Sequence, residues 1–200
     1  MAIFTIVTDY YSYDPRLAGT YPTIGDAIAA ALPGDTIILG DGYGPETVTI
    51  TQNDITISGT SSSLGIELLI ADGVSGLVLT GDAPINVTDS LGANVIAGND
   101  GDNVMTSTGG IDVFDGGLGV DRLVVDYSLA AGVVTGTTTA IGSDLGTVGI
   151  ADIENYTVLT GSGADVLTFT TAHGENYIDA GEGANTIVVG DGENTVITGA

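Results

Sequence analysis

Cysteine and lysine are missing from this 200-residue chain, and only Arg16 and Arg122 stand against 26 acidic residues. Without cysteine the chain can form neither disulfides nor thiolate metal sites. With two cations it cannot neutralise a run of phosphates, so we expect no nucleic acid partner. No apolar run approaches the roughly 18 residues that a membrane span needs, so we also expect no membrane span.

The formal net charge of −24 is combined with only 14% charged residues and 43% hydrophobic residues. Disordered chains pair high net charge with low hydrophobicity, so this composition favours a folded protein. Charge repulsion of this size opposes a compact state. Calcium, a hard ion bound by carboxylate and carbonyl oxygens, is the first candidate for a stabilising cation.

A nine-residue repeat is the most informative pattern in the chain. Glycine occurs at 92, 101, 110 and 119, Asn or Asp at 94, 103, 112 and 121, and a large apolar residue at 96, 105, 114 and 123. A second register has glycine at 163, 174, 183 and 192 and Asn or Asp at 165, 176, 185 and 194. Its first step has eleven residues, which predicts a wider turn at 170–173.

Each repeat predicts a glycine-rich turn followed by a short strand whose apolar side chain points inward. Strands this short must stack on neighbours, with two strands and two turns in each coil. Residues 18 apart in sequence then lie above one another. The expected stacked pairs are Asn94 with Asp112, Asn103 with Asp121, and Asn176 with Asn194.

The region before the repeats contains seven short β-rich runs between residues 35 and 97. Their spacing predicts coils of roughly 17 to 21 residues. The nine-residue step of the inner apolar positions continues across the join, which predicts one solenoid rather than two domains with a linker. These inner positions are Val87, Ile96, Met105, Phe114 and Leu123.

A short helix is predicted at 23–34, because Thr23 and Asp26 have capping-box spacing and Pro33-Gly34 can end a helix. Such a helix would cover the first coil of the stack. The predicted fold class is therefore all-β, a parallel β-solenoid with a short N-terminal capping helix. The predicted segments are the cap at 1–34, irregular coils at 35–97, a first nonapeptide block at 98–126, a β segment at 127–158, and a second block at 159–200.

The residues 116–124, Gly-Gly-Leu-Gly-Val-Asp-Arg-Leu-Val, fit the nonapeptide G-G-x-G-x-D-x-U-x at every specified position. Residues 89–200 thus resemble the RTX (hemolysin-type) calcium-binding β-roll proteins. Residues 20–60, a helix followed by a β-rich run, are similar to the N-terminal cap of right-handed parallel β-helix proteins of the pectate-lyase-like kind.

The RTX resemblance implies that sixth-position carboxylates and turn carbonyls bind Ca²⁺, with acidic third-position residues adding to them. Asn offers an oxygen without charge, so we expect the 98–124 turns to bind calcium better than the 174–194 turns. In the alternative interpretation, Asn and Asp only satisfy turn amides and no calcium binds. The candidate ligands are Gly98, Asp100, Asn103, Asp112, Gly116, Leu118, Asp121, Asp165, Asn176, Asn185, Asp191 and Asn194.

The sequence thus predicts a secreted or cell-surface calcium-binding module that folds on extracellular calcium and acts as a structural or adhesive scaffold. The resemblance implies type I secretion, and the first residues show no cleavable signal peptide. One alternative is a surface protein that assembles with its own copies through open solenoid ends or edges. Another is a polysaccharide lyase or epimerase, which the β-helix resemblance raises. Such enzymes need Lys or Arg in a substrate groove, which is not expected here, and no second base accompanies His173. We therefore expect no enzyme. A cell-surface or polysaccharide target is also open.

Overall fold

The computed structural model describes residues 1–6, 19–170 and 174–199, so Arg16, His173 and most of the predicted wide turn lie outside the described residues. The described chain is mostly β-strand. In chain order its strands are β1 (Ile3–Ile6), β2 (Thr20–Tyr21), β3 (Thr36–Ile38), β4 (Glu46–Ile50), β5 (Ile55–Gly59), β6 (Ile66–Ile70), β7 (Gly76–Gly81), β8 (Ile85–Thr88), β9 (Val95–Ala97), β10 (Val104–Ser107), β11 (Gly110–Asp115), β12 (Arg122–Tyr127), β13 (Thr135–Thr137), β14 (Ala140–Ser143), β15 (Gly146–Ala151), β16 (Asn155–Thr160), β17 (Val166–Phe169), β18 (Asn176–Asp179), β19 (Thr186–Val189) and β20 (Asn194–Ile197).

These strands form two sheets. Sheet A has twelve strands in the order β19-β17-β13-β14-β15-β11-β9-β7-β5-β3-β1-β2, and sheet B has eight in the order β20-β18-β16-β12-β10-β8-β6-β4. From β3 to β12 successive strands alternate between the sheets and pair in parallel with strands of the neighbouring layer. All seven β-rich runs predicted between 35 and 97 are strands.

The predicted 18-residue stacking is confirmed where the nonapeptides are regular. Met105 pairs with Val87 on one side and with Leu123 on the other, and Asn176 pairs with Asn194. The offset widens to 20 residues at Thr157–Tyr177, because the eleven-residue step lies between them. Among the irregular coils, β5 and β7 pair with an offset of 22, one residue more than the predicted range.

The hydrophobic core is one continuous cluster of buried residues that extends from Phe4 to Ile178. All five predicted inner positions belong to it, and each is at most 1% exposed. Alternation along each strand sends every second side chain inward, so these positions line up between the sheets. Their burial confirms the nine-residue register across the join at residue 97.

The predicted helix is present as α1 (Ile24–Ala30), which buries Ile24, Ala27 and Ile28. Thr23 Oγ1 accepts from the Asp26 amide at 3.0 Å, as the capping spacing predicted. The helix ends before the predicted 34, because Pro33 disfavours helical backbone in the preceding residue. Among the residues that the structure describes, no helix is long and apolar enough to cross a membrane.

One insertion interrupts the parallel order. Strands β13, β14 and β15 form an antiparallel meander within sheet A, between β11 and β17. The chain therefore needs 33 residues, from Arg122 to Asn155, to return to the next position of sheet B. β13 and β14 have no counterparts in sheet B, and at about 4.8 Å per strand they lengthen sheet A by roughly 10 Å.

Candidate metal centre

Turns join the sheets at two edges, which we name by direction: the B-to-A edge leads from sheet B to sheet A, and the A-to-B edge leads back. The sixth-position side chains of the nonapeptides line both edges and point inward. The most buried, each at most 3% exposed, are Asn94, Asn103, Asp112, Asp121, Asp165 and Asn176. Asn185 and Asn194 are half-buried. The structure therefore places the predicted oxygen ligands in two interior columns.

Within each column a side chain binds the backbone of the preceding layer. Asp112 Oδ1 accepts from the Asn94 amide at 2.9 Å, and Asp121 Oδ1 accepts from the Asn103 amide at 2.7 Å. These contacts confirm two of the three predicted stacked pairs, Asn94 with Asp112 and Asn103 with Asp121. They are also the contacts of the calcium-free interpretation, in which Asn and Asp satisfy turn amides.

In the second block the protein itself supplies the hydrogen-bond partners of the Asn side chains. Asn176 Oδ1 accepts from the Tyr156 amide at 3.0 Å, and Asn185 Oδ1 accepts from the Asp165 amide at 2.9 Å. Asn176 Nδ2 donates to Asn194 Oδ1 at 2.8 Å, and Asn194 Nδ2 donates to two turn carbonyls. Here Asn supplies both a donor and an acceptor, which a carboxylate cannot do.

Asp165 is the one sixth-position carboxylate of the second block, and protein donors reach both of its oxygens. Its Oδ1 accepts from the Val134 amide at 2.7 Å, and its Oδ2 accepts from the Thr160 hydroxyl at 2.6 Å. Its burial is therefore compensated without a cation.

Asp121, in the first block, is as fully buried as Asp165, but one of its two carboxylate oxygens lacks a donor. Its Oδ2 has no hydrogen-bond partner among the described residues. Burial raises the pKa of Asp121 to about 7, and repulsion from Glu154, Asp102 and Asp115 adds to the increase. A buried carboxylate oxygen without a donor, surrounded by other acids, is the local environment that a cation relieves.

The backbone around Asp121 is packed too tightly for side chains. A Cβ on Gly116 would collide with the Asp152 carbonyl oxygen and with the Asp121 carboxylate. Gly98 lies one layer earlier, against the Gly116 carbonyl, and has no room for a Cβ either. Glycine at these two first positions therefore brings main-chain carbonyls and the Asp121 carboxylate together, and these are the oxygen types that calcium binds.

Glu154 completes this side of the A-to-B edge. Its Oε2 accepts from the Asp121 amide at 2.8 Å, although the two residues are 33 apart in sequence. Asp102 and Asp115 accept hydrogen bonds from turn amides of the same region. Asp102 Oδ1 accepts from the Val120 amide at 2.8 Å, and Asp115 Oδ1 accepts from the Gly117 amide.

The B-to-A edge holds a second pair of buried acids, Asp89 and Asp112, which come from neighbouring layers. Burial raises the pKa of Asp89 to about 7, with a further increase from Asp112, and burial also raises the pKa of Asp112. Tyr127 is fully buried beside them, and its pKa is raised to about 12 by burial and by the two acids.

The remaining predicted ligands lie at the surface. Asp100 and Asp191 are exposed, and Leu118 is 67% exposed, with its amide donating to the Asn99 carbonyl at 2.9 Å. These side chains do not join the buried acids. Leu118 could contribute only its main-chain carbonyl, which is what the motif requires of it.

Arg122 lies on the outer face of sheet B, as its seventh position in the repeat predicted. Its Nη1 donates to Thr157 Oγ1 and to the Glu175 carbonyl, both at 3.2 Å, and Glu175 Oε2 lies 3.9 Å from Nη2. This cation is therefore engaged outside the two buried columns.

Four acids near the candidate ligands were missed by the sequence reasoning. Asp102 and Asp115 occupy fifth and ninth positions, which the motif leaves open, and Glu154 lies in the irregular segment. Asp89 occupies the first position of the 89–97 repeat, where the motif has glycine, and this departure was the available signal. Across residues 1–6, 19–170 and 174–199, no three His, Asp or Glu side chains gather into a metal cluster. A site here would use one or two carboxylates with main-chain carbonyls.

Comparison with known proteins gives no further assignment: no protein-family model, curated protein or solved structure matches the chain.

Proposed function

We propose that this chain is a calcium-binding β-solenoid module that folds on extracellular calcium and serves as a structural or adhesive scaffold. The single observation that carries the proposal is the buried Asp121 Oδ2, which has no donor among the described residues and lies beside the glycine turn at 116. Calcium at this position would be held by the Asp121 carboxylate with turn carbonyls, and Glu154 lies within its reach.

The negative charge on buried Asp121 destabilises the folded state. An unpaired buried polar group costs about 1–3 kcal/mol, and a charged group costs more. Glu154, Asp102 and Asp115 increase that cost by repulsion. One divalent cation supplies the missing partner and also offsets the repulsion, so folding and calcium binding become one event.

The solenoid architecture is supported by the alternation of strands between two parallel sheets and by the repeated 18-residue offset. In a solenoid each coil contacts only its neighbours, so a cation between layers stabilises the coils on both sides.

Location follows from calcium availability. Sites of the extracellular class bind with dissociation constants of about 10⁻⁴–10⁻³ M, which suits the low ligand charge of these turns. Inside a cell such sites would stay empty and the carboxylates would repel one another. Outside, calcium would stabilise the folded state by RT ln(1 + [Ca²⁺]/Kd) for each site.

The test is far-UV circular dichroism and thermal melting of the chain in chelator, followed by calcium titration. We expect the thermal midpoint to rise with calcium, and we expect Asp121→Asn to reduce that rise. Asp165→Asn is the matched control, because Asp165 is equally buried but both of its oxygens have donors. Asp165→Asn should lower stability without changing the calcium response.

An unchanged midpoint and spectrum across the titration would contradict the proposal. An equal loss of calcium response in Asp121→Asn and Asp165→Asn would also contradict the assignment of Asp121, because it would indicate a general effect of destabilisation.

A further inference from the structure

A second group of unsatisfied oxygens lies in the core at the B-to-A edge. Asp89, directly after β8, is 5% exposed, and Asp112, on β11, is 1% exposed. The side chains come from neighbouring layers, and two adjacent residues bring them together: Thr108 donates to Asp89, and Ser107 donates to Asp112. Two buried acids that repel each other cannot both stay charged without something between them.

The protein supplies close donors to only one oxygen of each carboxylate, Asp89 Oδ1 and Asp112 Oδ1. Asp89 Oδ1 accepts from the Thr108 amide at 2.6 Å and from its hydroxyl at 2.8 Å, and Asp112 Oδ1 accepts from the Asn94 amide. Asp112 Oδ2 has only the Ser107 hydroxyl, at 3.5 Å. Asp89 Oδ2 has no partner among the described residues.

Tyr127, the last residue of β12, adds a third unsatisfied oxygen. Its side chain is fully buried, and its hydroxyl has no hydrogen-bond partner within the described part of the chain. The Tyr127 hydroxyl lies close enough to Asp89 and Asp112 for their charges to raise its pKa. An aromatic hydroxyl is rarely buried without a partner, so its position beside two acids points to a bound group.

Within the described part of the chain, no protein cation reaches this group. The chain has no lysine, and Arg122 is engaged with Thr157 and Glu175 on the outer face of sheet B. Ser107 and Thr108 also line an open cavity of about 480 Å³ at this edge. These two residues also bind the Asp89 and Asp112 carboxylates.

We propose that Asp89, Asp112, Tyr127 and Ser107 hold a hard divalent cation inside the core. Two carboxylates match the charge of one such ion, and all four side chains offer oxygen, the donor that calcium prefers. The inference rests on the proposed function, because Asp112 is already a candidate calcium ligand, and adds a second site that is built from side chains, lies at the opposite edge from Asp121 and includes a tyrosine.

Tyrosine makes the site observable. Terbium(III) is a luminescent substitute for calcium, and it emits on tyrosine excitation only when a tyrosine lies close to it. We expect tyrosine-excited terbium emission from the Asp121→Asn chain, its displacement by added calcium, and its loss when Tyr127→Phe is added. The Asp121→Asn background is needed because Tyr156 lies beside Glu154 and would sensitise terbium bound at Asp121. Tyr156→Phe in the same background is the matched control, because Tyr156 is equally buried but its hydroxyl donates to the Ile153 carbonyl at 3.1 Å.

Calorimetric titration with calcium counts the sites independently of emission. Asp89→Asn should remove one binding equivalent, and Asp121→Asn should remove a different one while leaving the Tyr127-dependent emission intact. Failure of this inference is thereby distinguishable from failure of the proposed function. Should Asp89→Asn not fold, Tyr127→Phe provides the test, because it removes only a hydroxyl that has no partner.

Two results would overturn the inference. One is terbium emission that Tyr127→Phe leaves unchanged. The other is an Asp89→Asn chain that folds and binds as many calcium equivalents as the wild type, which would mean that a shared proton alone satisfies the acid pair.

Discussion

The two nonapeptide blocks bury the same kind of side chain in equivalent positions, but they complete its hydrogen bonds differently. In the second block, Asn176 and Asn185 exchange donors and acceptors with the protein, and Asp165 has a donor on each oxygen. In the first block Asp121 Oδ2 has no donor among the described residues, and just before this block Asp89 Oδ2 has none either. A buried carboxylate here therefore needs a second donor, which the protein supplies to Asp165 and which only an outside partner can supply to Asp121.

The largest expected effect is the difference in calcium response between the blocks. The double variant Asp112→Ala/Asp121→Ala should lose most of the calcium-dependent increase in the free energy of unfolding, whereas Asn185→Ala/Asn194→Ala should retain it. At a calcium concentration one hundred times Kd, each lost site is worth about 2.7 kcal/mol. Denaturant unfolding with and without calcium measures both variants, and equal losses would abolish the distinction between the blocks.

A smaller effect is expected from making the second block resemble the first. Thr160→Val removes the hydroxyl that donates to Asp165 Oδ2 and leaves that oxygen buried without a partner. The free energy of unfolding should fall by about 1–3 kcal/mol, and chemical denaturation measures the loss. Thr157→Val, half-buried on the outer face of the same strand, is the control and should change little. A fully stable Thr160→Val chain would show that Asp165 does not depend on this donor.

The pH dependence of the calcium-free protein tests the two buried acids Asp121 and Asp89. The folded-state pKa of Asp121 is raised from 3.8 to about 7 by burial and by Glu154, Asp102 and Asp115. Between these values the folded chain holds a proton that the unfolded chain has released. Stability is therefore highest near the lower pH, falls as the pH rises, and levels off above the folded pKa.

We expect a decrease of a few kcal/mol, because each pKa unit corresponds to about 1.4 kcal/mol, and each kcal/mol shifts the thermal midpoint of a chain this size by about 2–4 °C. Thermal melts in chelator across this pH range measure it. Asp121→Asn should make the profile shallower, and Asp89→Asn should do the same, because burial also raises the pKa of Asp89 to about 7. A midpoint that rises with pH would contradict the assignment.

The smallest effect is expected far from both blocks. Thr23→Ala removes the N-cap of α1, whose hydroxyl accepts from the Asp26 amide. The cost should be roughly 0.5–1 kcal/mol, equal with and without calcium, as measured by thermal melting. A cost that depends on calcium would indicate that the cap and the first block fold as one unit.

The sequence predicted the repeating parts of the fold and the first partners of the buried side chains. The inner column from Val87 to Leu123 and the Asn103–Asp121 stacking follow from periodicity alone, because they depend on a constant step. The meander at β13–β15 could not be predicted, since residues 127–158 do not follow that step. Glu154 was missed for the same reason: it lies 33 residues from Asp121, and no spacing rule links them.

The extra strands of sheet A also set how far order can spread along the molecule. At the B-to-A edge Asp112 pairs with Val148 of β15, which is apolar, so the column of polar side chains stops there. At the A-to-B edge the column continues, because Asn155 donates to the Asp121 carbonyl through its backbone amide, at 2.9 Å, and its side chain. In an array with nearest-neighbour coupling, cooperativity passes through intact interfaces. The polar columns therefore link the first block to the second along the A-to-B edge only, whereas at the other edge the link runs through the paired strands of the meander.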